Sequence, residues 1–179
     1  GDQNNIQFTK EQLTQSVGFS MLVNQRSNLS LEQFKKILSQ DSNDKNNVFS
    51  ENADYFYYAE RQYNINGVFL AAIAIHESGW GTSSISQSKK NLFGYKAYDR
   101  DPSGNASGFE NYGQGIDLVA RVLVKYYLNP PGTSIYDGET AIGSYYRGST
   151  ITAVNTCYAT DKNWANGVYK WMVYLYNKL

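Results

Sequence analysis

An unbroken apolar run, VFLAAIAI at residues 68–75, passes directly into HESGWG. A helix made of such residues has no polar face, so it must lie in the middle of the domain, covered on all sides. The run is far shorter than the roughly 20 residues of a membrane span. It ends in a carboxylate, Glu77, followed by Gly79 and Gly81. The unpaired carbonyls of a helix C-terminus disfavour the ionised form of an acid placed there. Burial against the apolar run acts in the same direction. Glu77 is therefore expected to hold its proton above the ordinary carboxylate range, as an acid must if it is to protonate a leaving oxygen. Position alone also fits a solvated residue at a helix end. Gly79 can take the left-handed conformation that ends the helix, and both glycines leave room for a bulky polymer. His76 lies about 100° round the helix from Glu77 and reads as a packing or hydrogen-bonding histidine.

At 179 residues the chain is one domain's worth. A single unit over 1–179 is expected, with residues 1–29 as an N-terminal extension packed on it. Sixteen basic and sixteen acidic residues balance, with no long run of one sign, so binding nucleic acid by neutralising phosphates is not expected. One cysteine, Cys157, and one histidine, His76, give neither a disulfide framework nor the about four ligands of a structural zinc site. No metal or cofactor is expected. A cysteine peptidase built on that pair would need thiolate and imidazole adjacent in space, and "NTCYATD" has no sign of a nucleophile at a helix start. Sixteen tyrosines, eight phenylalanines and three tryptophans suit a cleft for partly apolar, hydroxylated ligands such as sugars, although many such rings simply finish a core. The polar start GDQNN has no signal-peptide pattern and reads as a domain detached from a longer protein.

"SLEQFKKIL" (30–38) carries a capping-box pattern, Ser30 and Gln33, with Leu31, Phe34, Ile37 and Leu38 on one face. The polar stretch 41–52 reads as a loop and 53–63 as a helix, broken at Asn66-Gly67. From 82 to 112 glycine, serine, asparagine and aspartate replace helical periodicity, which predicts loops with at most short strands. A helix over 115–128 stops at Pro130-Pro131. A weaker helix is expected over 138–146, and a last one after Asp161, its cap candidate, with Trp164, Val168, Trp171 and Leu175 facing inward. The fold class is α+β, mainly α.

"AIHESGWGTS" (74–83) followed by "NLFGYKAYDRDP" (91–102) resembles the signature of glycoside hydrolase family 73, the endo-β-N-acetylglucosaminidase domains of bacterial autolysins. The similarity continues through "GIDLVARVLVKYYL" and "YATDKNWANGVYKWM", covering most of the chain from about Ser30 onward. The resemblance implies a lysozyme-like fold, with a helical lobe and a small loop or β lobe flanking a groove. It also implies cleavage of the GlcNAc-β-1,4-MurNAc bond of peptidoglycan by a secreted, wall-associated, monomeric enzyme without membrane insertion. Carried over by position, Glu77 matches the general acid, Tyr158 a tyrosine near the reaction centre and Asp99 the aspartate of the "AYD" element. Trp80, Asn91, Phe93, Tyr95 and Tyr98 fall in groove-forming segments. Several of these residues have bland readings too: Phe93 and Leu92 as loop anchors, Asn91 as a turn cap, Trp80 and Tyr158 as packing residues. Trp164 reads as core.

Glycosidases commonly use two carboxylates, and Asp99, Asp101 and Glu110 are the candidates facing Glu77. Some relatives place a second glutamate in a β-hairpin near the position of Glu110, but "GFENYGQG" departs from their hairpin pattern. The other route is substrate-assisted: the sugar's 2-acetamido group attacks the anomeric carbon, and Asp99 or Tyr158 stabilises it. A lytic transglycosylase on a related fold and a non-catalytic wall-binding module are the competing readings.

Overall fold

The computed structural model describes Thr9, residues 11–12, 17–94 and 108–179. Within them the protein is mainly helical, and the β structure amounts to an isolated antiparallel bridge between Ser134 and Thr140. Helix α1 (Leu31–Leu38) starts with the reciprocal bonds its sequence requires: Gln33 N–H donates to Ser30 Oγ and Ser30 N–H to Gln33 Oε1. A short helix α2 (Val48–Glu51) interrupts the expected loop, because Asp44 accepts the N–H groups of Phe49 and Ser50 and so caps a helical turn. Helix α3 (Ala53–Tyr63) follows, and Asn64, left-handed at φ 56°, ends it.

Helix α4 (Gly67–Ser78) is the apolar run, extended by a residue at its start and three at its end. Asn66 caps it, its Oδ1 accepting from Phe69 N–H. Every residue from Val68 to Ile75 is at most 1 % exposed, which confirms that the helix is central. Full burial of each large apolar side chain there contributes about 1.5–3 kcal/mol. Helix α8 (Trp164–Tyr176) packs along α4 more extensively than any other helix pair in the fold. Helix α3 also packs on α4 and in turn contacts α1 and the later helix α6 (Tyr112–Val122), while α1 touches α8 as well.

Helix α5 (Ser84–Lys89) lies inside the stretch expected to be loop, with Ser83 Oγ accepting from Ser86 N–H at its start. Helix α6 (Tyr112–Val122) begins three residues before the expected start, capped by Asn111. Its glycine-rich first turn signals a loop by composition, but the glycines serve packing: a Cβ on Gly113 would stand 2.3 Å from the Tyr55 ring. The helix continues as a π-turn over Leu123–Tyr127. The weak helix expected over 138–146 does not form. Asp137 and Gly138, both at positive φ, turn the chain, and Ala141 N–H pairs back to Thr133 O at 2.8 Å. Ile142 and Gly143 then donate to Lys125 O, so this segment seals the end of α6. Helix α7 (Ile151–Tyr158) is capped by Thr150 and leads to α8. Asp161 does not cap α8 directly. It accepts from Asn163 N–H, forming a turn one residue ahead of the helix.

Residues 23–29 are fixed to this body by a buried acid. Glu60, fully buried on α3, accepts Ser27 N–H at 2.8 Å and Gly67 N–H at 2.9 Å on one oxygen, while Val23 pairs with both Ser149 and Asn66 through its backbone. Burial raises the Glu60 pKa, with the bonds from Ser27 and Gly67 opposing it. A group whose folded pKa is raised stabilises the fold fully below its unfolded pKa, and that contribution is lost as pH rises through the folded value. Glu60→Gln keeps the acceptor and removes the ionisation. Its melting temperature relative to wild type should therefore climb as pH rises above the ordinary glutamate range, as scanning calorimetry at each pH would register. Glu60→Leu orphans two N–H groups and should lose about 2 kcal/mol or more at any pH.

Candidate active site

The C-terminal end of α4 is held by a compact set of bonds. Ser78, buried, donates its hydroxyl to Ala74 O at 2.6 Å and accepts Gly81 N–H at 2.8 Å. Gly79, Trp80 and Gly81 then run at φ 57°, 60° and 75°, a left-handed reversal that takes the chain off the helix axis. Gly79 supplies the expected terminating conformation. Gly81 serves packing: it is buried, and a Cβ there would come within 3.0 Å of Val48. For Trp80 the left-handed conformation costs about 1–2 kcal/mol. Burial of its indole offsets that cost, with the ring 5.3 Å from Phe49 and 5.5 Å from Trp171 between centroids.

Glu77 sits two residues before this reversal. Its Oε1 accepts the indole N–H of Trp164 at 2.7 Å. Trp164 is only 2 % exposed, so the expectation of a core residue is met, and the same side chain also reaches the acid. A buried indole N–H ordinarily finds an acceptor, so the sequence shows that Trp164 needs a partner without showing that the partner is Glu77. Solvent reaches Glu77 as a residue, yet protein surrounds enough of the carboxyl to raise its pKa above the ordinary glutamate value. Burial is the dominant cause, and the Trp164 bond and the charge of His76 oppose it without reversing it. His76 itself lies against α8, where a Cβ on Gly167 would meet its ring at 2.4 Å.

Trp164 is the first residue of α8, and Asn155 of α7 holds it there. Asn155 Oδ1 accepts Ala165 N–H at 3.0 Å, and its Nδ2 donates to Asp161 O at 3.0 Å and to Ala159 O at 3.2 Å. Tyr158, the last residue of α7, sets its ring 5.1 Å from Trp164 and 5.5 Å from Tyr127. Tyr127 in turn lies 5.1 Å from Tyr145, which is 47 % exposed. A row of four rings thus runs from the acid to the surface.

The structure brings Glu77 and Tyr158 together through Trp164. Asn91 and Phe93 are buried, at 1 % and 2 %, and Asn91 Oδ1 accepts Phe93 N–H at 2.9 Å in a tight turn. Trp80 is 4 % exposed. Their rings and amide are thereby placed inside the fold, supporting the wall of the site rather than lining open space. Glu110 is exposed on the turn entering α6, where its N–H donates to Gln114 Oε1, and among the described residues no hydrogen bond or ion pair joins it to Glu77. Asp99, Asp101, Tyr95 and Tyr98 lie outside the described residues. Sequence reasoning missed Asn155 altogether, since nothing in "AVNTCY" distinguishes a three-bond hub from a surface amide.

Residues 53–177 match the sequence profile of the glucosaminidase family, described as mannosyl-glycoprotein endo-beta-N-acetylglucosaminidase. The chain belongs to this family. Two Streptococcus pneumoniae proteins provisionally named endo-beta-N-acetylglucosaminidase are each 29 % identical over 152 residues, 85 % of this chain. The chain spans about a fifth of their length, 21 % and 20 %. The fold is similar to a crystal structure of a catalytic mutant of Staphylococcus aureus autolysin E in complex with the disaccharide NAG-NAM. That likeness has a TM-score of 0.63 at 16 % identity and covers 96 % of this chain and 80 % of the other. A second structure of autolysin E, with the muropeptide NAM-L-Ala-D-iGlu, gives 0.60 at 17 % identity over 96 % and 79 %. The major bifunctional autolysin gives 0.54 at 24 % identity over 92 % and 69 %. The expected mainly helical architecture and the assignment to the glycoside hydrolases both stand.

Within the described surroundings of Glu77 the Trp164 bond favours the charged form of the acid. Removing it with Trp164→Phe keeps the packing and should move the titration midpoint of the Glu77 carboxyl, followed by its carbon-13 shift, to higher pH still. A midpoint unchanged or lowered would show that the indole N–H does not act on the carboxyl.

Proposed function

We propose that this domain hydrolyses the GlcNAc-β-1,4-MurNAc bond of peptidoglycan, with Glu77 as the general acid. The observation that carries the reading is the carboxyl at the open end of a fully buried helix, bonded on one oxygen by Trp164 and raised in pKa by its surroundings. A protonated Glu77 delivers its proton to the glycosidic oxygen as the bond to the anomeric carbon breaks. The bond from Trp164 fixes one carboxyl oxygen and leaves the other to face the substrate. Tyr145, exposed, and Tyr158, partly so, supply apolar faces of the kind on which sugars stack, with buried Tyr127 packed between them.

The route we propose is substrate-assisted: the 2-acetamido oxygen attacks the anomeric carbon as the glycosidic bond breaks, and water later opens the cyclic intermediate. In this scheme Tyr158 stabilises the acetamido group, sharing that role with Asp99. Glu110 in this scheme acts outside the proton transfer. Trp80, Asn91 and Phe93 shape the groove from behind, while Tyr95 and Tyr98 extend it. The substrate class places the working enzyme outside the cell membrane, at the wall, and the reaction needs one copy of the chain. Among the described residues no helix is long and apolar enough to cross a membrane.

Digestion of purified peptidoglycan, followed by borohydride reduction and mass analysis, tests the reading. Wild type should release fragments ending in reduced GlcNAc, and Glu77→Gln should lower the rate by about 10²–10⁴-fold, the range for loss of a general acid. Anhydro-MurNAc ends would make the domain a lytic transglycosylase, and the absence of any release by wild type would leave a wall-binding module. Tyr158→Phe should lower kcat by about tenfold with KM little changed, since its hydroxyl is engaged as charge develops.

A further inference from the structure

A largely buried ion pair lies outside the site, at the C-terminal end of α8. Asp41, the third residue after α1, has a side chain only 1 % exposed. Its Oδ1 accepts the backbone N–H of Asn43 at 2.8 Å and the Asn43 side-chain amide at 2.9 Å. Its Oδ2 accepts the Tyr174 hydroxyl at 2.7 Å and the ammonium of Lys178, two residues past α8. Burial acts to raise the Asp41 pKa, but the bonds from Lys178, Tyr174 and Asn43 outweigh it and hold the group below its ordinary value, as a carboxylate. An ion pair taken out of water is a weak way to stabilise a fold, because desolvation offsets much of the attraction. Where the pair holds the ammonium is the informative feature.

Lys178 Nζ stands 5.9 Å from the centroid of the Trp80 ring and 5.2 Å from that of Tyr174, within the about 6 Å over which a cation is attracted to an aromatic face. Trp80 needs such a hold. Its backbone is left-handed, at φ 60°, a conformation that side chains other than glycine adopt at a cost. Its indole N–H is buried with no acceptor among the described residues, so no hydrogen bond orients the ring. Phe49, Trp171 and Tyr174 meet it in T-shaped contacts at 5.3, 5.5 and 6.1 Å, and the ammonium supplies the charged one. The backbone N–H of Trp80 in turn donates to Ile75 O at 3.3 Å, in the last turn of α4 two residues before Glu77. The ring, the exit turn and the end of α4 are therefore one connected unit.

We propose that Lys178, oriented by Asp41, is a positioning residue for Glu77: it seats the Trp80 ring and thereby holds the last turn of α4 where the acid meets the glycosidic oxygen. The proposal rests on the reading of Glu77 as general acid. Loss of the ammonium leaves the packing of α3 and α8 on α4 in place and loosens the acid.

Lys178→Met removes the charge and keeps the length of the side chain. Assayed on purified peptidoglycan well below the melting temperature, it should lower kcat by about three- to tenfold with KM little changed. Lys178→Arg, which keeps a cation over the ring, should restore most of that loss. A double-mutant cycle with Trp80→Leu, which removes the ring face, gives a readout that a merely structural role would not move. With Trp80 already replaced, Lys178→Met should lower kcat by less than about twofold further. The carbon-13 titration of the Glu77 carboxyl is a second arm that needs no turnover. In Lys178→Met its midpoint should move down toward the ordinary glutamate range, as water gains access to the loosened turn. Tyr174→Phe keeps the ring and removes one bond to Asp41. It should change both readouts in the same direction by less, and it decides the question if Lys178→Met does not fold. Unchanged kcat with a lower melting temperature, a loss confined to KM, no recovery in Lys178→Arg, or fully additive losses in the cycle would each overturn the proposal. An unmoved Glu77 midpoint would overturn it too. If wild type releases nothing from peptidoglycan, the hydrolase reading fails, while the Glu77 titration still decides whether Lys178 positions that carboxyl.

Discussion

The burial of α4 is the constraint on which the other features depend. A helix with no polar face cannot sit at an edge, so α8 packs along it and α3 packs on it too, itself in contact with α1 and α6. Only its C-terminal end reaches solvent, and the chain must leave there without covering the last turn. The left-handed sequence Gly79-Trp80-Gly81 performs that exit, anchored by the indole of Trp80 in the cluster with Phe49 and Trp171. Glu77 is the first residue along the helix whose side chain can be both attached to a rigid core and open to a ligand. Core packing and the placement of the acid are one structural fact.

The electrostatics of Glu77 follow from the same arrangement. Burial favours the neutral acid, while the Trp164 N–H and His76 favour the carboxylate. With burial dominant, the group holds its proton to higher pH than free glutamate does. The two opposing groups come from different elements, His76 from α4 itself and Trp164 from α8. The balance is thus set by how closely α8 is seated on α4, and Gly167, with no room for a side chain against the His76 ring, lets the two helices approach.

Much of this was written plainly in the chain. The all-apolar run required a central helix, Ser30 and Gln33 announced α1, and the position of Glu77 at the end of the run announced its raised pKa. The resemblance carried by "AIHESGWGTS" and the later motifs named the family and the fold. Other features were hidden because their cause is tertiary. The first turn of α6 looks like a loop because its glycines are chosen for contact with Tyr55 and Phe109 rather than for helix propensity. Residues 138–146 looked helical by composition, but positive φ at Asp137 and Gly138 and the bonds to Lys125 override that preference. Trp164 looked like core because it is core; helical spacing tells which face a ring is on and is silent about where its N–H ends.

Asn155 gives the α7–α8 corner a property of its own. Its amide satisfies two carbonyls of the connection and the N–H of Ala165, so the end of one helix and the start of the next open or close as a cooperative unit. Trp164 belongs to that unit. Each transient opening of the corner withdraws the indole from Glu77 and leaves the acid with burial and His76 alone. The fraction of molecules holding the bonded carboxyl is then fixed by the local stability of that corner. Amide exchange at Ala165 and the titration of Glu77 are, in thermodynamic terms, two readings of one opening equilibrium.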